Sequence, residues 1–175
     1  MFPLNSTLLM VFPVSCQNRM PCYLVDVGIL LTQPSDLDLM ALDSNVQCDR
    51  NGTPLRHFSP FVQPHSAGVD VFNQDLSICD GIVVNAYVFP PFCLIGPLLR
   101  FLWSQHAVVT ILVPKLSPLP AWWPIINAIS KLKVLVAEKG CCDALLFPSK
   151  QGFQFGKIHF DLWAFRVGNN PCITK

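Results

Sequence analysis

The chain has 175 residues, of which 51% are hydrophobic and 13% are charged, and its net charge is +1. This length suits a single domain with a sizeable core, and such sparse, scattered charge excludes a protein that holds nucleic acid through a basic face. Eight cysteines occur without a Cys-x-x-Cys pair or a histidine-spaced cluster, so neither a zinc site nor a secreted disulfide scaffold is predicted. We therefore expect reduced thiols in an intracellular protein, in the cytoplasm or nucleus.

The first third of the chain predicts short strands separated by long connections. Residues 1–31 show no clear periodicity and stay unplaced, apart from a possible strand at Tyr23–Leu31. Asp36–Asn45 opens with acidic and apolar residues in alternation, which is typical of a short strand, and ends in a turn rich in Asp, Ser and Asn. Cys48–Ser66 is polar and interrupted by prolines, which predicts one long loop. A second short strand is expected at Gly68–Phe72.

The middle of the chain has the pattern of a strand, a rigid turn and a helix. An apolar run of strand formers ends at Pro90-Pro91-Phe92, and an apolar, helix-compatible run follows from Cys93 to Leu102. Two consecutive prolines continue neither a strand ladder nor a helix interior, so the turn between the two elements is rigid. Ligands of open α/β sheets lie at the carboxyl ends of strands. The turn is therefore a candidate ligand site as well as a candidate structural corner.

The same apolar stretch allows a second interpretation as a membrane span. Gly81–Leu99 is nineteen residues long and carries no charge, which matches a transmembrane helix in length. The two prolines of the turn, together with Gly96 and Pro97, argue against a continuous helix. The N-terminal segment also lacks the basic start of a signal peptide. A buried strand, turn and helix explain the stretch better, and an apolar membrane-associated protein is kept as an alternative.

The last part of the chain alternates strands with a helix. Ala107–Val113 is a continuous, largely β-branched run, typical of a strand buried on both faces. In Trp122–Lys131 apolar side chains recur at helical spacing, which predicts an amphipathic helix. The apolar positions of this helix are Trp122, Ile125, Ile126 and Ile129. Strands are expected at Lys133–Ala137 and Ala144–Phe147, and Phe160–Val167 alternates as an edge strand does.

This order of elements predicts an α/β fold with a Rossmann-like, mainly parallel sheet flanked by helices. One domain is expected over residues 32–167, preceded by the unplaced segment 1–31 and followed by a tail at 168–175. If the sheet is incomplete at its N-terminus, its exposed edges would favour self-association.

Sequence motifs for common chemistries are missing, with one exception. The four histidines lie in unrelated contexts, and neither a Gly-x-Gly-x-x-Gly turn nor a P-loop occurs. The exception is the combination of two acids, Asp38 and Asp75, with the Pro-Pro-aromatic turn that follows them. This combination is similar to the arrangement in amino-methyltransferases. There a polar residue before Pro-Pro-Tyr/Phe accepts a hydrogen bond from the target amine, and the aromatic ring stacks on the base. Asp is also an ordinary turn former.

Five sequence blocks resemble, in order, a segment of retrotransposon polyproteins. The blocks are DLMALDSNVQ (Asp38–Gln47), GVDVFNQDLS (Gly68–Ser77), NAYVFPPFCLIGPLLRFL (Asn85–Leu102), VVTILVPKLSPLPAWWPII (Val108–Ile126) and DLWAFRV (Asp161–Val167). In tyrosine-recombinase retrotransposons of the DIRS type this segment lies downstream of the reverse transcriptase and RNase H regions. The resemblance covers residues 36–167 and implies a fragment of such a polyprotein, with DNA and other polyprotein domains as partners.

That segment is itself similar to phage-type DNA N6-adenine methyltransferases, which implies a methyltransferase-like sheet. In active members the first block and neighbouring acids serve S-adenosylmethionine, and an Asn/Asp-Pro-Pro-Tyr turn serves the target base. The implied cofactor-binding residues are Asp38, Ala41, Asn45 and Asp75, with Leu76 where the family has tryptophan. The implied catalytic residues are Pro90, Pro91 and Phe92, and Val113, Pro114 and Trp122-Trp123 match the last block.

One departure from the family decides the expected function. Phe89 stands before the two prolines where the family has Asn or Asp, and a phenyl ring has no acceptor for an exocyclic amine. Asn85 lies four residues earlier, too far along the strand to replace that acceptor. We therefore expect a non-catalytic methyltransferase-like domain without a cofactor, which would bind S-adenosylmethionine only if the ancestral pocket is retained. An active S-adenosylmethionine-dependent DNA adenine N6-methyltransferase is the alternative, and no metal is expected.

Overall fold

A computed structural model describes residues 12–13, 35–49, 51–76, 84–105 and 107–168 of the chain. The strands are β1 (Phe12–Pro13), β2 (Leu37–Asp38), β3 (Arg56–Ser59), β4 (Gly68–Val69), β5 (Asn85–Val88), β6 (Val108–Lys115), β7 (Ser130–Ala137), β8 (Leu145–Ser149), β9 (Gly152–Phe155) and β10 (Asp161–Val167). The α-helices are α1 (Ile95–Trp103) and α2 (Trp122–Ile129), and short 3-10 turns cover Val71–Asn73 and Phe92–Leu94.

Seven strands form one sheet in the order β4-β3-β2-β5-β6-β10-β7. Neighbouring strands from β4 to β6 pair in parallel, whereas β10 runs antiparallel to both β6 and β7. Within the described part of this sheet β10 is thus the one reversed strand. The predicted Rossmann-like α/β fold with a mainly parallel sheet is confirmed. A smaller antiparallel sheet has the order β1-β8-β9.

The sheet carries an apolar layer on each face. Along β6, Val109 and Ile111 belong to one buried cluster and Leu112 to the other, because successive side chains of a strand point to opposite faces. Both helices pack on the first face, where Leu98 of α1 and Ile126 of α2 are fully buried. The helices predicted after the double-proline turn and at Trp122–Lys131 are confirmed in type and position.

The predicted loop at Cys48–Ser66 is wrong in its centre, where β3 pairs with both β2 and β4. The strand was missed because its four residues contain no apolar run. His57 within it is buried, and its Nε2 lies 2.9 Å from Oδ1 of Asp43. That partner stands in the loop after β2, so no local pattern reveals that His57 can be buried. The strand predicted at Gly68–Phe72 is present as β4, and a 3-10 turn follows it.

The alternating segment near the C-terminus is not an edge strand, which corrects the sequence-based expectation. β10 lies inside the sheet, between β6 and β7. Its polar residue Arg166 does not face solvent alone, because its Nη1 donates to Oγ1 of Thr110 on β6 at 2.7 Å. The polar position in the alternating sequence of β10 is therefore explained by a hydrogen bond between neighbouring strands and not by exposure at a sheet edge. The apolar face predicted for α2 is also wrong at one position: Ile125 of this helix is exposed.

The apolar stretch considered as a membrane span contains β5, the double-proline turn and the first turns of α1. Among the described residues, no helix combines the length and hydropathy that crossing a bilayer requires. The possible strand at Tyr23–Leu31 and most of the predicted tail lie outside the described residues.

Candidate functional site

The candidate site lies where the chain reverses direction across the sheet. After β2 the chain moves outward to β3 and β4, and it then returns to the other side of β2 to form β5 and β6. Strands β2 and β5 are therefore the topological switch point, the place where α/β sheets bind ligands beyond the carboxyl ends of their strands. Asp38 is paired with Tyr87 across these two strands, and the backbone N–H of Leu39 donates to the carbonyl of Tyr87 at 2.9 Å. The structure thus brings the acidic block and the double-proline block side by side.

Asp38 is a buried acid at this switch point. Its side chain is 2% exposed, and its two carboxyl oxygens accept from the backbone N–H groups of Met40 and Gln47, both at 3.3 Å. Burial raises the pKa of Asp38 to about 7, and the two backbone hydrogen bonds only partly oppose that rise. The carboxyl group therefore titrates near neutral pH. Both of its oxygens already accept a hydrogen bond from the backbone of the following loop.

Asp38 belongs to a row of polar side chains that crosses the sheet on one face. The row follows the strand pairing and consists of His57, Asp38, Tyr87, Thr110 and Arg166. All of its members are buried except Arg166, which is half-buried, and burial lowers the pKa of its guanidinium group. Polar residues seldom occupy buried strand positions unless they are hydrogen-bonded, and the Arg166–Thr110 pair meets that requirement at one end of the row.

The two neighbours of Asp38 in this row keep unpartnered polar atoms. The hydroxyl group of Tyr87 and Nδ1 of His57 are buried without a hydrogen-bond partner. Burial, and secondarily the charge of Asp38, raises the pKa of Tyr87 well above its ordinary value. Tyr87 is therefore a neutral, unpaired hydroxyl group next to a buried acid, which is an arrangement that destabilises the fold.

Removing the Tyr87 hydroxyl group should consequently stabilise the protein, while removing the Thr110 hydroxyl group should destabilise it. We expect Tyr87→Phe to raise the free energy of unfolding by ~1 kcal/mol, because it deletes a buried group without a partner. Thr110→Val has nearly the same shape as the native residue but deprives Arg166 of its acceptor, and we expect a loss of ~1–2 kcal/mol. Chemical denaturation of both variants measures the difference. Equal destabilisation by the two variants would contradict the assigned pairing.

The remaining first-block residues lie in the loop that follows β2. Ala41 is buried, and its backbone N–H donates to the carbonyl of Phe58 on β3 at 3.0 Å. The side-chain oxygen of Asn45 accepts from the backbone N–H of Leu42 and closes a turn. Ala41 and Asn45 thus lie in the loop that directly follows Asp38, and their described contacts shape that loop.

Asp75 is placed differently. It is exposed in the segment after the 3-10 turn Val71–Asn73. The backbone N–H of the next residue, Leu76, donates to the side chain of Gln105 at 2.9 Å, and Gln105 follows the C-terminal end of α1. The described contacts of this segment therefore connect it to the amino-end side of the sheet, away from the loop of Asp38.

The double-proline turn is lined by aromatic rings. Phe89 is partly buried against the apolar cluster that contains Tyr87, and its ring centroid lies 6.5 Å from that of Phe92. The ring of Phe92 in turn meets Phe160 edge-on, with centroids 5.5 Å apart. Asn85 stands at the opposite end of β5. The position that precedes the prolines therefore presents a packed phenyl ring and no hydrogen-bond acceptor.

Sequence reasoning missed His57, Tyr87, Thr110 and Arg166. A signal for three of them existed, since each is a polar or titratable residue inside an otherwise apolar strand. What no local pattern could show is that the strands align them in one row. Among the described residues, no group of three or more His, Cys, Asp or Glu side chains could hold a metal ion.

Comparison with known proteins found a weak structural similarity and no sequence match. No family model matches the chain, and no curated protein matches it. Among solved structures, the precorrin 8W decarboxylase of Methanobacterium thermoautotrophicum is similar, with a TM-score of 0.38 and 8% identity over 88% of this chain and 94% of that chain. A similarity of this size carries no conclusion about ligand or reaction.

Proposed function

We propose that the chain is a methyltransferase-like Rossmann domain of a DIRS-type retrotransposon polyprotein that no longer transfers methyl groups. The five sequence blocks support the origin and the methyltransferase-like class, and the Rossmann-like fold is compatible with that class. Within the described residues, one reversed strand, β10, lies between β6 and β7 at the end of an otherwise parallel sheet. Because one fold serves many functions, the fold does not decide whether methyl transfer occurs, and the residues of the site do.

The observation that carries the proposal is Phe89. Methylation of an exocyclic amine needs a group that accepts the amine's hydrogen bond and makes its nitrogen nucleophilic. At the carboxyl end of β5 that position holds a phenyl ring that is packed on the cluster of Tyr87 and lies close to Phe92. A rotation of this ring exposes no acceptor, so the essential polar contact is missing.

The loop after β2 also does not fit a nucleoside cofactor such as S-adenosylmethionine. Nucleotide-binding Rossmann folds bring the backbone close to the ligand through glycines and direct a helix N-terminus at it. Here no glycine occurs between Leu37 and Asn51, and among the described residues no helix begins between β2 and β3. The carboxyl oxygens of Asp38 are already bonded to the loop backbone. We therefore propose that the domain acts through partners, foremost the neighbouring domains of its polyprotein and DNA held by the parent element.

Calorimetric titration with S-adenosylmethionine and S-adenosylhomocysteine tests this proposal. We expect no heat of binding at millimolar ligand from a sample whose cooperative thermal transition demonstrates that it is folded. We also expect no labelling of adenine in DNA by the wild type, by Phe89→Asn, or by Phe89→Leu, which controls for the change in packing. Labelling of adenine by the wild type would overturn the non-catalytic assignment. Micromolar binding, or labelling that appears with Phe89→Asn and not with Phe89→Leu, would overturn the proposed loss of the cofactor pocket and leave Phe89 as the cause of inactivity.

A further inference from the structure

The row of polar side chains contains a half-buried cation without a counterion. Arg166 lies on β10, and burial lowers the pKa of its guanidinium group. The two ion pairs among the described residues both involve Asp43, in the loop after β2, so no described carboxylate neutralises Arg166. A guanidinium group has five N–H donors, and the described contacts use one of them, in the hydrogen bond to Thr110. A cation that is partly removed from water is stabilised by an anion that reaches it.

Tyr87 supplies a second unsatisfied donor on the same face of the sheet. Its side chain is buried, and its hydroxyl group has no hydrogen-bond partner. Burial, and secondarily the charge of Asp38, raises the pKa of Tyr87 well above its ordinary value, so the hydroxyl group keeps its proton at neutral pH and can donate it to an acceptor. Buried donors without an acceptor are rare in folded proteins. A ligand that brings an acceptor accounts for this one.

Strand pairing places these two donors on either side of Thr110. Tyr87 is paired with Thr110 across β5 and β6, and Arg166 is paired with Thr110 across β6 and β10. Two strand spacings separate the backbones of Tyr87 and Arg166 by about 10 Å. Nη1 of Arg166 lies 2.7 Å from Oγ1 of Thr110, so the guanidinium group extends from β10 towards Tyr87. The Thr110 oxygen accepts in that bond, which leaves its hydrogen to donate as a third group.

This group of donors is accessible from the side of β7. Leu132 of β7 is paired with Arg166 and is 44% exposed, and β7 stands at the end of the described sheet. Arg166 is itself half-buried, whereas Tyr87 lies deeper in the row. A small ligand can therefore meet the guanidinium group first and the Tyr87 hydroxyl group second. Hydrogen bonds made at such a partly buried place are stronger than they are in water.

The charges at this place favour a carboxylate over a doubly charged anion. One guanidinium group balances one negative charge. Asp38, which is paired with Tyr87, adds a negative charge above its pKa of about 7. A sulfate ion would therefore bring an unbalanced charge into a partly buried site, which is costly. A carboxylate brings one charge and two oxygens, which suit the planar guanidinium group and a neighbouring hydroxyl donor.

We propose that Arg166, Thr110 and Tyr87 bind the carboxylate group of a small molecule on this face of the sheet. The ligand supplies the counterion of Arg166 and the acceptor of Tyr87. Its binding explains why the fold keeps a buried hydroxyl group that destabilises the protein without ligand. None of the three residues belongs to the implied cofactor-binding or catalytic set, so this proposal does not depend on the proposed loss of methyl transfer.

Thermal melting in sodium acetate at neutral pH, compared with sodium chloride of the same concentration, tests the proposal. We expect acetate at about ten times its dissociation constant to raise the melting temperature of the wild type by ~3–6 °C. Acetamide, which has the shape of acetate without its charge, should cause no rise. Arg166→Gln should lose the rise, and Tyr87→Phe should need about tenfold more acetate to reach it. Arg100→Gln, at an exposed position of α1, is the matched control and should keep the full rise.

Several results would overturn the proposal. One is a wild type that does not respond to acetate, and another is an equal response to acetamide. An equal rise in all variants would also overturn it, because acetate would then act as a general stabilising salt. Should Arg166→Gln fail to fold, Tyr87→Phe decides the outcome. In sodium sulfate the difference between the wild type and Arg166→Gln should be smaller than in acetate, and a larger difference would overturn the assignment to a carboxylate.

Discussion

Gly168→Ala is expected to destabilise the folded protein by ~3 kcal/mol or more, because two independent penalties coincide at this residue. Gly168 has a φ of 135°, a backbone conformation that residues with a Cβ rarely adopt. A Cβ there would also stand 2.2 Å from the carbonyl oxygen of Ala107 and 2.9 Å from Cα of Val108. Both atoms belong to the backbone at the start of β6, where the N–H of Val108 donates to Val84. They cannot move without weakening the sheet.

Gly96→Ala supplies the matched control for this substitution. Gly96 lies in the first turn of α1, and a Cβ there meets nothing within 4 Å. Alanine in a helix is favoured over glycine by ~0.5–1 kcal/mol, so this variant should be slightly more stable than the wild type. Calorimetric melting of both variants should show Gly168→Ala lowered by ~6–12 °C. A melting temperature within 2 °C of the wild type, a margin of about one kcal/mol or less, would contradict the close approach at Gly168.

Asp38→Asn is expected to remove a large part of the pH dependence of stability. Burial raises the pKa of Asp38 from 3.8 to about 7 in the folded protein. Between these two values the folded chain holds a proton that the unfolded chain has lost. The contribution of Asp38 to the free energy of unfolding is therefore full below about pH 4 and is lost as the pH rises to about 7.

The size of this effect follows from the shift in pKa. A rise in the pKa of Asp38 from 3.8 to about 7 corresponds to a contribution on the order of 4 kcal/mol to the free energy of unfolding, which is lost between pH 4 and pH 8. The asparagine variant cannot ionise, so its stability should fall less over the same range, and relative to the wild type it should gain with rising pH. Denaturant titrations at pH 4.5 and pH 8 measure this difference. Asp36→Asn, at an exposed neighbouring position, is the control and should keep the wild-type pH dependence of stability. The same pH dependence of stability in both variants would refute the burial of an ionisable Asp38.

Much of the fold was accessible from the sequence because local patterns encode it directly. The β-branched run predicted a strand buried on both faces, and the structure has β6 there. The apolar run after the two prolines predicted a helix, and the structure has α1 there. The sequence also predicted that the double-proline turn follows a strand, and the structure places this turn after β5, next to β2. The lack of an acceptor at Phe89 is also a property of the sequence, and the packing of its ring agrees with it.

Other features required strands that are distant in sequence to be placed side by side. β3 carries no apolar run, and it is a strand because β2 and β4 pair with it and Asp43 contacts His57. β10 alternates like an edge strand, yet it is inserted between β6 and β7, where Arg166 finds Thr110.

The α/β class, the double-proline turn and the absence of a polar side chain directly before it follow from the sequence alone, because these features depend on residue type and on neighbours along the chain. Only the folded chain shows the polar row beside Asp38 and the inner position of β10. These features arise from pairings between strands, and the free energy of such a pairing depends on the partner that long-range topology provides.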